Sequence, residues 1–523
     1  MASAGADPSG SMKGMLMTFY PTRRRRLLAA SAIAAALSAI GGGALAQDAP
    51  VQTAAPDQVA PAAPADPREA KIEALEHEIQ DLAAQVADLK ASTAASVKDV
   101  RASQAALPKV TLAAGRPTFT TADGKFSASI RAIVQFDAAR YSVSPLTAAN
   151  DLSSGTNFRR ARLGVDGKAF GDWNYALWAD FGGSGGETPV LNQAYIEYAG
   201  WKPFGAANPV RLRVGAWATP TGLEDATSNT EGLFLERPAA AELVRNIAGG
   251  DGRSGVGFFA NGDHWYASGT LTGAVVGVPA TAEFTEQTGY LARIAFNPLH
   301  GADYDVHVGA NIQGVIDPAD TAAGPPVAQA IRLRERPELR VDGARLVDTG
   351  NINANGLTAY GGELGASWRN IYVAGEAYKI DVDRSAVTPA LFNPSFSGWY
   401  VQGAWTLTGE RHQWSSANGG FRGIRPDKTL DPSKGNWGAF EIAARYSVLD
   451  LNDLAGIAGH TAPAGGVRGG EQKITTVGLN WYPNSVIRFL LDYQWANIQR
   501  LNAAGGQIGE TVDTASFRAQ VAF

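Results

Sequence analysis

The chain of 523 residues contains no cysteine, which rules out a disulfide framework and any cysteine-ligated metal site. Beyond residue 46 it also lacks a run of about 18 or more apolar residues, which excludes a bundle of transmembrane helices. The 6 histidines lie in no recognisable nucleophile or metal motif, so neither an enzyme nor a bound cofactor is expected. With a net charge of −5, no global positive charge indicates a nucleic-acid partner.

Glycine and aromatic residues are abundant by contrast. The chain has 60 glycines, 12 tryptophans, 15 tyrosines and 20 phenylalanines. Many glycines and aromatics without long apolar runs are typical of a β-rich chain with many turns.

The first 46 residues resemble an export signal. Arg23 to Arg26 form a positive segment, Leu27 to Ile40 form a short apolar segment, and Ala44-Leu45-Ala46 is a typical cleavage site. The alternative is a membrane anchor, but the apolar stretch is too short for a bilayer core of about 30 Å. We therefore expect residues 1–46 to be removed on export.

Residues 47–67 are rich in Ala and Pro and predict a disordered linker. In residues 68–107 we expect a short periplasmic coiled coil, because apolar residues are spaced by three and four positions, as in a heptad repeat. These residues are Ile72, Leu75, Ile79, Leu82, Val86 and Leu89. A small trimeric bundle is the preferred interpretation, and a single amphipathic helix packed on another surface is the alternative.

From residue 117 to residue 523 the apolar period changes to two, which predicts β-strands. We identify sixteen such segments, and a seventeenth candidate, residues 330–339, contains Pro337 and is a poorer strand. Bacterial outer-membrane barrels have an even number of strands, so the fold class predicted is a 16-stranded antiparallel transmembrane β-barrel preceded by a short coiled-coil helix.

The lengths of the connections between the predicted strands indicate how the barrel is oriented in the membrane. Tight turns occur at residues 170–173 and 482–485, whereas residues 141–157, 409–435 and 450–472 form long loops. Short turns on one edge and long loops on the other are expected for an outer-membrane barrel. The final strand alternates strictly and ends in Phe523, which resembles the signal that such proteins present to the barrel assembly machinery.

Alternation also assigns arginines to the lumen. With Leu163 and Val165 facing lipid, Arg160 and Arg162 face inward together with Phe158, and Arg159 lies near the strand end. The same argument places Arg211, Arg213, Arg293 and Arg334 inside. Inward arginines raise the local anion concentration and favour an anion pathway. The alternative is that they pair with lumen carboxylates such as Asp137, Asp166, Glu363, Glu441 and Asp492.

Residues 218–252 have no strand pattern but contain apolar anchors such as Leu233 and Phe234. A loop of that length is functional or disordered. We expect it to fold into the barrel as a constriction, with a packed surface loop as the alternative.

Several of these segments resemble the phosphate-selective porins O and P. The similar stretches are FRRARLGVDGKAFGDWNYALWADF, NQAYIEYAGWKPF, the GLED…LFLERP loop and RERPELRVDGARLVDTG. The resemblance implies a homotrimer in the outer-membrane lipid, with anions passing a ladder of arginines that includes Arg159, Arg160 and Arg237. One departure is that the long loops carry few lysines, of which Lys428 and Lys434 stand out.

The leading hypothesis is therefore a passive bacterial outer-membrane channel for phosphate, polyphosphate or other small anions. A general porin with weak preference is the first alternative. A structural tether between the outer membrane and the cell wall is the second, although no peptidoglycan-binding segment is recognisable.

Overall fold

The computed structural model describes residues 66–113, 115–145, 152–183, 190–276, 285–320, 329–385 and 391–523. The predicted signal peptide and most of the predicted linker lie outside these ranges. Sixteen strands form the barrel: β1 (Ser127–Ser144), β2 (Gly155–Ala169), β3 (Trp173–Asp180), β4 (Val190–Trp201), β5 (Val210–Trp217), β6 (Arg253–Asn261), β7 (Trp265–Val275), β8 (Thr288–His300), β9 (Tyr304–Asp317), β10 (Ile352–Trp368), β11 (Ile371–Arg384), β12 (Ser395–Thr406), β13 (Ala439–Asp453), β14 (Val467–Tyr482), β15 (Ile487–Gln499) and β16 (Thr511–Ala522).

Each strand pairs antiparallel with the next, and β16 pairs with β1 from Ala522 opposite Ile133 to Thr511 opposite Ser144. This last pairing closes the sheet and leaves no free edge, which a lipid environment requires. The predicted 16-stranded antiparallel barrel is confirmed. Before β1, a hairpin of Lys109–Ala113 and Arg116–Thr120 extends the sheet by pairing Thr118 with Ser129.

One helix precedes this sheet: α1 (Pro67–Ala106), whose residues are all exposed. The predicted heptad positions are among them, from Ile72 at 55% exposure to Leu89 at 66%. The predicted helix is therefore present, whereas its assembly into a coiled coil stays a prediction. Among the described residues, no helix combines the length and the apolar character needed to cross a membrane.

The outer face of the barrel is apolar and carries aromatic residues near both edges. Trp399 contacts Tyr446 with ring centroids 5.6 Å apart toward the long-loop edge, and Phe440, Trp481 and Phe489 stack in a row toward the other edge. Two such belts are typical of barrels whose aromatic side chains lie at the two membrane interfaces.

Three connecting segments contribute buried residues to the interior of the barrel. We call residues 218–252 the constriction loop; it contains α2 (Leu223–Ala226) and α3 (Ala239–Ala248). The second segment connects β9 to β10, and its described residues 329–351 contain Arg334–Glu335 paired with Val347–Asp348. The third, residues 407–438, is called the periplasmic insert and contains Trp414–Ser415 paired with Gly420–Phe421.

One prediction about connections is confirmed and one is wrong. Residues 330–339 do not supply a seventeenth barrel strand, as expected from Pro337, because Ala330–Ile331 and Arg334–Glu335 are short ladders within the second segment. The periplasmic insert joins β12 to β13 and therefore lies at the short-turn edge, not with the long loops. The length of a connection does not show at which edge of the barrel it lies. That edge follows from the number of strands that precede the connection, because consecutive strands run in opposite directions.

The largest apolar core lies within the barrel rather than around it. On α3, Ala240, Leu243 and Val244 are buried against inward residues of the wall such as Ile380 and Phe396. The lumen toward the long-loop edge is thus filled by packed side chains. The remaining space lies beside and below the constriction loop.

Candidate functional site

Three arginines of β2 point into the barrel because the strand contains a β-bulge. Gln135 pairs with Arg160 and the next residue of β1, Phe136, pairs with Phe158, so Arg159 is the extra residue. A bulge shifts the alternation by one residue. Arg159, Arg160 and Arg162 are all buried, whereas Phe158 is 54% exposed on the outer face. The expectations that Phe158 faces inward and that Arg159 only ends the strand are therefore wrong.

The constriction loop crosses the lumen and is held on several walls. The backbone N–H of Leu235 donates to Asp492 on β15 at 2.8 Å, and Asn480 on β14 donates to the Leu233 carbonyl at 2.9 Å. On the opposite side, the N–H groups of Leu223 and Glu224 donate to the Glu376 carboxylate of β11 at 2.7 and 3.0 Å. These anchors place the loop inside the barrel, as predicted.

Glu236 of the constriction loop binds the bulge. Its carboxylate accepts from Arg159 at 2.8 Å and from Arg518 of β16 at 2.9 Å. Arg160 lies beside this cluster, donates to Gln135 at 2.7 Å and leaves its Nε without a partner among the described residues. Arg159 therefore positions the loop, whereas Arg160 is buried beside it without a carboxylate partner among the described residues.

A second cluster of charges lies within the constriction loop. Arg245 donates to Asp225 at 2.6 Å, and Arg237 pairs with the same carboxylate at 3.1 Å. Burial on its own raises the pKa of the Glu242 carboxyl, but Arg340, Arg245 and Arg237 outweigh burial and hold that pKa at about 2. Glu242 is therefore ionised at neutral pH, and its contacts together with those of Asp225 fix the direction of both arginines.

A cavity of about 390 Å³ opens below the constriction loop, and we call it the basic chamber. Seven arginines line it: Arg116, Arg131, Arg162, Arg237, Arg245, Arg425 and Arg488. Only three acidic side chains do so: Asp225, Glu231 and Asp251. Its lining therefore carries more cationic than anionic side chains, although the chain as a whole is slightly acidic.

Not all of these arginines are neutralised. Arg131 pairs with Asp166 at 2.5 Å, and Arg162 pairs with Asp180 and Asp251, each at 2.6 Å. Within the described part of the chain, Arg116, Arg425 and Arg488 form no ion pair. Arg488 also leaves Nε and Nη2 without hydrogen-bond partners there. Three of the seven cations that line the cavity are therefore not neutralised by a described carboxylate.

The carboxylates of the opposite wall are covered. Glu363 on β10, Glu376 on β11 and Glu441 on β13 are called the acidic wall, and each is at most 3% exposed. The constriction loop covers Glu376, whereas the periplasmic insert reaches the other two: His412 binds Glu441 at 2.6 Å, and Trp414 binds His307, a partner of Glu363. The inserted segments thereby remove acidic side chains from the water-filled space.

The remaining predicted arginines fall into different environments. Arg293 pairs with Glu363 at 2.7 Å and donates to the Gly419 carbonyl at 2.6 Å, so it holds the periplasmic insert. Arg213 pairs with Glu197 at 2.6 Å and lies over the ring of Tyr195 at 4.0 Å. Arg211 faces inward and reaches the Ala417 carbonyl at 3.4 Å.

Arg334 is not on a lumen-facing strand. It lies exposed in the second inserted segment, and its neighbour Arg332 pairs with Asp348. The strand-like alternation of residues 331–336 therefore produced a wrong placement, because a short local hairpin has the same period as a barrel strand.

Of the eight arginines predicted for the pathway, Arg162 and Arg237 line the basic chamber. Sequence reasoning missed Arg116 and Arg425 because neither lies on a barrel strand, and no alternation test applies to them. Among the described residues, no group of three metal-ligating side chains converges on a common point.

Comparisons with known proteins agree with this architecture. A family model described as phosphate-selective porin O and P matches residues 129–523. An uncharacterized protein of Caulobacter vibrioides is 26% identical over 444 residues, which cover 80% of each chain. Porin O of Pseudomonas aeruginosa is 26% identical over 407 residues, covering 74% of this chain and 86% of that protein.

Solved outer-membrane proteins are also similar. A loop-deleted OmpT of Vibrio cholerae is 10% identical, with a TM-score of 0.44 over 76% of this chain and 100% of the other. An anion-selective porin from Comamonas acidovorans is 13% identical, with a TM-score of 0.42 over 76% and 100% of the two chains. The family match extends from the first barrel strand to the last, and the chain accordingly belongs to the phosphate-selective porin O and P family of outer-membrane porins.

Proposed function

We propose that this porin passes anions by passive diffusion, with phosphate or polyphosphate as the best-suited cargo. The observation that carries the proposal is the lining of the basic chamber, with seven arginines against three carboxylates. A cavity lined mainly by one sign of charge concentrates ions of the opposite sign. Guanidinium groups also bind phosphate in a bidentate manner and stay charged at every physiological pH.

The covered acidic wall supports the same proposal. Glu363, Glu376 and Glu441 accept hydrogen bonds from inserted segments or wall residues and have almost no contact with solvent. A carboxylate whose charge is satisfied and shielded repels a passing anion less than an exposed one. Anion preference would thus come from folding the loops inward as much as from the number of arginines.

A general porin with weak preference remains a second candidate, favoured by one observation. Five of the eight predicted pathway arginines, Arg159, Arg162, Arg213, Arg237 and Arg293, form ion pairs with carboxylates. Paired arginines keep a wall polar without a strong net field. The two candidates differ in whether phosphate competes with chloride for the pathway.

Planar-bilayer recording distinguishes these candidates. Addition of phosphate to a chloride solution should reduce the single-channel chloride current if an oxyanion is retained in the chamber. An unchanged chloride current in an anion-selective channel would support the general porin. Cation selectivity would contradict both the proposed role of the basic chamber and phosphate as the permeating ion.

The assembly of this porin and its location in the cell are part of the same proposal. We propose that residues 1–46 direct export and that the barrel lies in outer-membrane lipid as a homotrimer, with α1 on the periplasmic side. The exposed apolar row from Ile72 to Leu89 supports a helical bundle, since such a row is stable only when partners cover it. Ile or Val alternating with Leu in this row also suits a two-stranded coiled coil. Contacts between the barrels, rather than between the helices, would therefore determine that the assembly is a trimer.

A further inference from the structure

The periplasmic insert is fastened to the inner wall at two histidines. One is His412, which belongs to the insert and binds Glu441 of β13. The other is His307, which belongs to β9 and accepts a hydrogen bond from Trp414 of the insert. Both imidazoles are buried, at 5% and 0% exposure. Their partners dictate which protonation state each contact needs.

His412 contacts a hydrogen-bond acceptor at each ring nitrogen. Nδ1 lies 2.9 Å from the Arg422 carbonyl, and Nε2 lies 2.6 Å from Oε1 of Glu441. Glu441 also accepts from Tyr482 at 2.8 Å and from Asn480 at 3.1 Å, which is the environment of an ionised carboxylate. Since a carbonyl and a carboxylate can only accept, both contacts are satisfied together only when His412 is the doubly protonated imidazolium.

His307 has the opposite requirement. The indole Nε1 of Trp414 is a donor and lies 3.1 Å from Nδ1 of His307, so Nδ1 must carry no proton. The other nitrogen, Nε2, lies 3.0 Å from Glu363, which also accepts from Arg293 and Asn311. The arrangement therefore fits only the neutral imidazole with its proton on Nε2. Protonation of Nδ1 would turn the Trp414 contact into two donors facing each other.

Other titratable groups lie around the two histidines. Around His412 these are Glu441 of β13, Tyr482 of β14, Tyr372 of β11 stacked at 4.7 Å, and Glu224 and Glu231 of the constriction loop. Arg422 of the insert contacts His412 through its backbone carbonyl, and its guanidinium donates to Ser415. Around His307 the groups are Glu363 of β10, Arg293 of β8, and the pair of Asp305 and Arg411.

The insert contributes directly to the basic chamber. Gly423 and Arg425 line the cavity, and the Gly423 N–H donates to Glu231 of the constriction loop at 3.3 Å. The same segment covers Glu363 and Glu441 of the acidic wall. A displaced insert would remove a cation from the chamber and expose two carboxylates, so both changes would weaken anion preference.

We propose that His412 and His307 are positioning residues that seat the periplasmic insert as a selectivity element, and that the insert leaves this position when Nδ1 of His307 is protonated. Neutral His307 stabilises the seated insert at high pH, and this stabilisation is lost as the pH falls. The effect on selectivity rests on the proposed anion pathway, whereas the seating itself does not.

A single introduced cysteine measures the seating, since the natural chain has none. Ser415→Cys lies on the insert at 7% exposure, and Ser433→Cys lies on the same insert in an exposed position. The full chain reconstituted in lipid vesicles is treated with a membrane-impermeant maleimide. The ratio of the labelling rates at the two positions is compared at each pH between the otherwise natural chain and a histidine variant, which separates seating of the insert from the pH dependence of thiol reactivity.

In the otherwise natural chain, this ratio should rise by about tenfold when the pH is lowered from about 7 to about 5. His412→Gln should raise the ratio at pH 7, because an amide has donors at only one end and cannot donate to both the Arg422 carbonyl and Glu441. His307→Gln should abolish the acidic rise and keep the insert seated, because its amide can both accept from Trp414 and donate to Glu363. His264→Gln is the matched control, since His264 lies in another turn and stacks on His300.

A ratio that stays constant between pH 7 and pH 5, or an acidic rise that persists in His307→Gln, would overturn the inference. If His307→Gln fails to fold, Trp414→Phe decides it, because removal of the indole donor should also abolish the acidic rise. A channel without anion preference at any pH would contradict the proposed function, while the labelling ratio would independently report on the insert.

Discussion

Arg159 and Arg160 are consecutive residues of β2, yet both side chains are buried inside the barrel because Arg159 is the extra residue of a β-bulge opposite Gln135. The two guanidinium groups have different partners. Arg159 pairs with Glu236 of the constriction loop at 2.8 Å, whereas Arg160 donates to the neutral Gln135. Arg159 therefore holds the loop, and the cation of Arg160 is the one we propose to act on passing anions.

This difference predicts separate effects of two substitutions. Arg159→Gln should lower the thermal unfolding temperature of the porin in detergent, because it removes a charged partner from buried Glu236 at a cost of up to about 3–5 kcal/mol. Arg160→Gln should leave that temperature nearly unchanged and reduce phosphate block of the chloride current. Equal effects of both variants on stability would show that Arg159 and Arg160 contribute alike to holding the constriction loop.

The unpaired cation of the insert provides a second prediction. Arg425→Gln should lower the ratio of anion to cation permeability by about twofold, since one charge at ~10 Å in water contributes about 0.4 kcal/mol. Lys428→Gln is the matched control, because Lys428 is exposed on the same segment and does not line the chamber. Reversal potentials of the two variants should differ. An equal loss of anion preference in both variants would indicate that the overall charge of the segment, rather than a charge inside the chamber, sets the selectivity.

Glu242 gives a prediction about acid. Its pKa of about 2 lies below the usual value of 4.5, so its contribution to stability is present above about pH 4.5 and is lost as the pH falls toward 2. Glu242→Gln should therefore be less stable than the natural chain at pH 7. The difference in unfolding temperature should shrink between pH 4.5 and pH 2. A difference independent of pH would mean that the charge of Glu242 is not what holds Arg340 and Arg245.

The exposed apolar row of α1 predicts self-association through the helix. A disulfide between copies carrying Val86→Cys should form readily in the full-length chain and should be lost when Leu82→Asp is added. Chemical cross-linking of the natural chain should end at a band of three copies. Efficient disulfide formation in the presence of Leu82→Asp would show that the helices meet by collision rather than by packing.

Much of this barrel follows from period-two alternation, which identified sixteen segments and most of the inward arginines. Alternation failed where the backbone departs from it, at the bulge before Arg160 and in the local hairpin containing Arg334. It gave no information about Arg116 and Arg425, which reach the chamber from segments outside the barrel strands. Pairing between distant segments, such as His412 with Glu441, depends on how the insert packs and leaves no mark in either local sequence.

We expect the pathway to prefer anions, because unpaired arginines line the chamber while the acidic wall is covered. The decisive measurement is the reversal potential of a single channel across a gradient of potassium chloride. We expect its sign to report preferential chloride permeation, with a smaller magnitude when Arg116, Arg425 and Arg488 are replaced together by Gln. A reversal potential of the opposite sign in the natural chain would contradict the account.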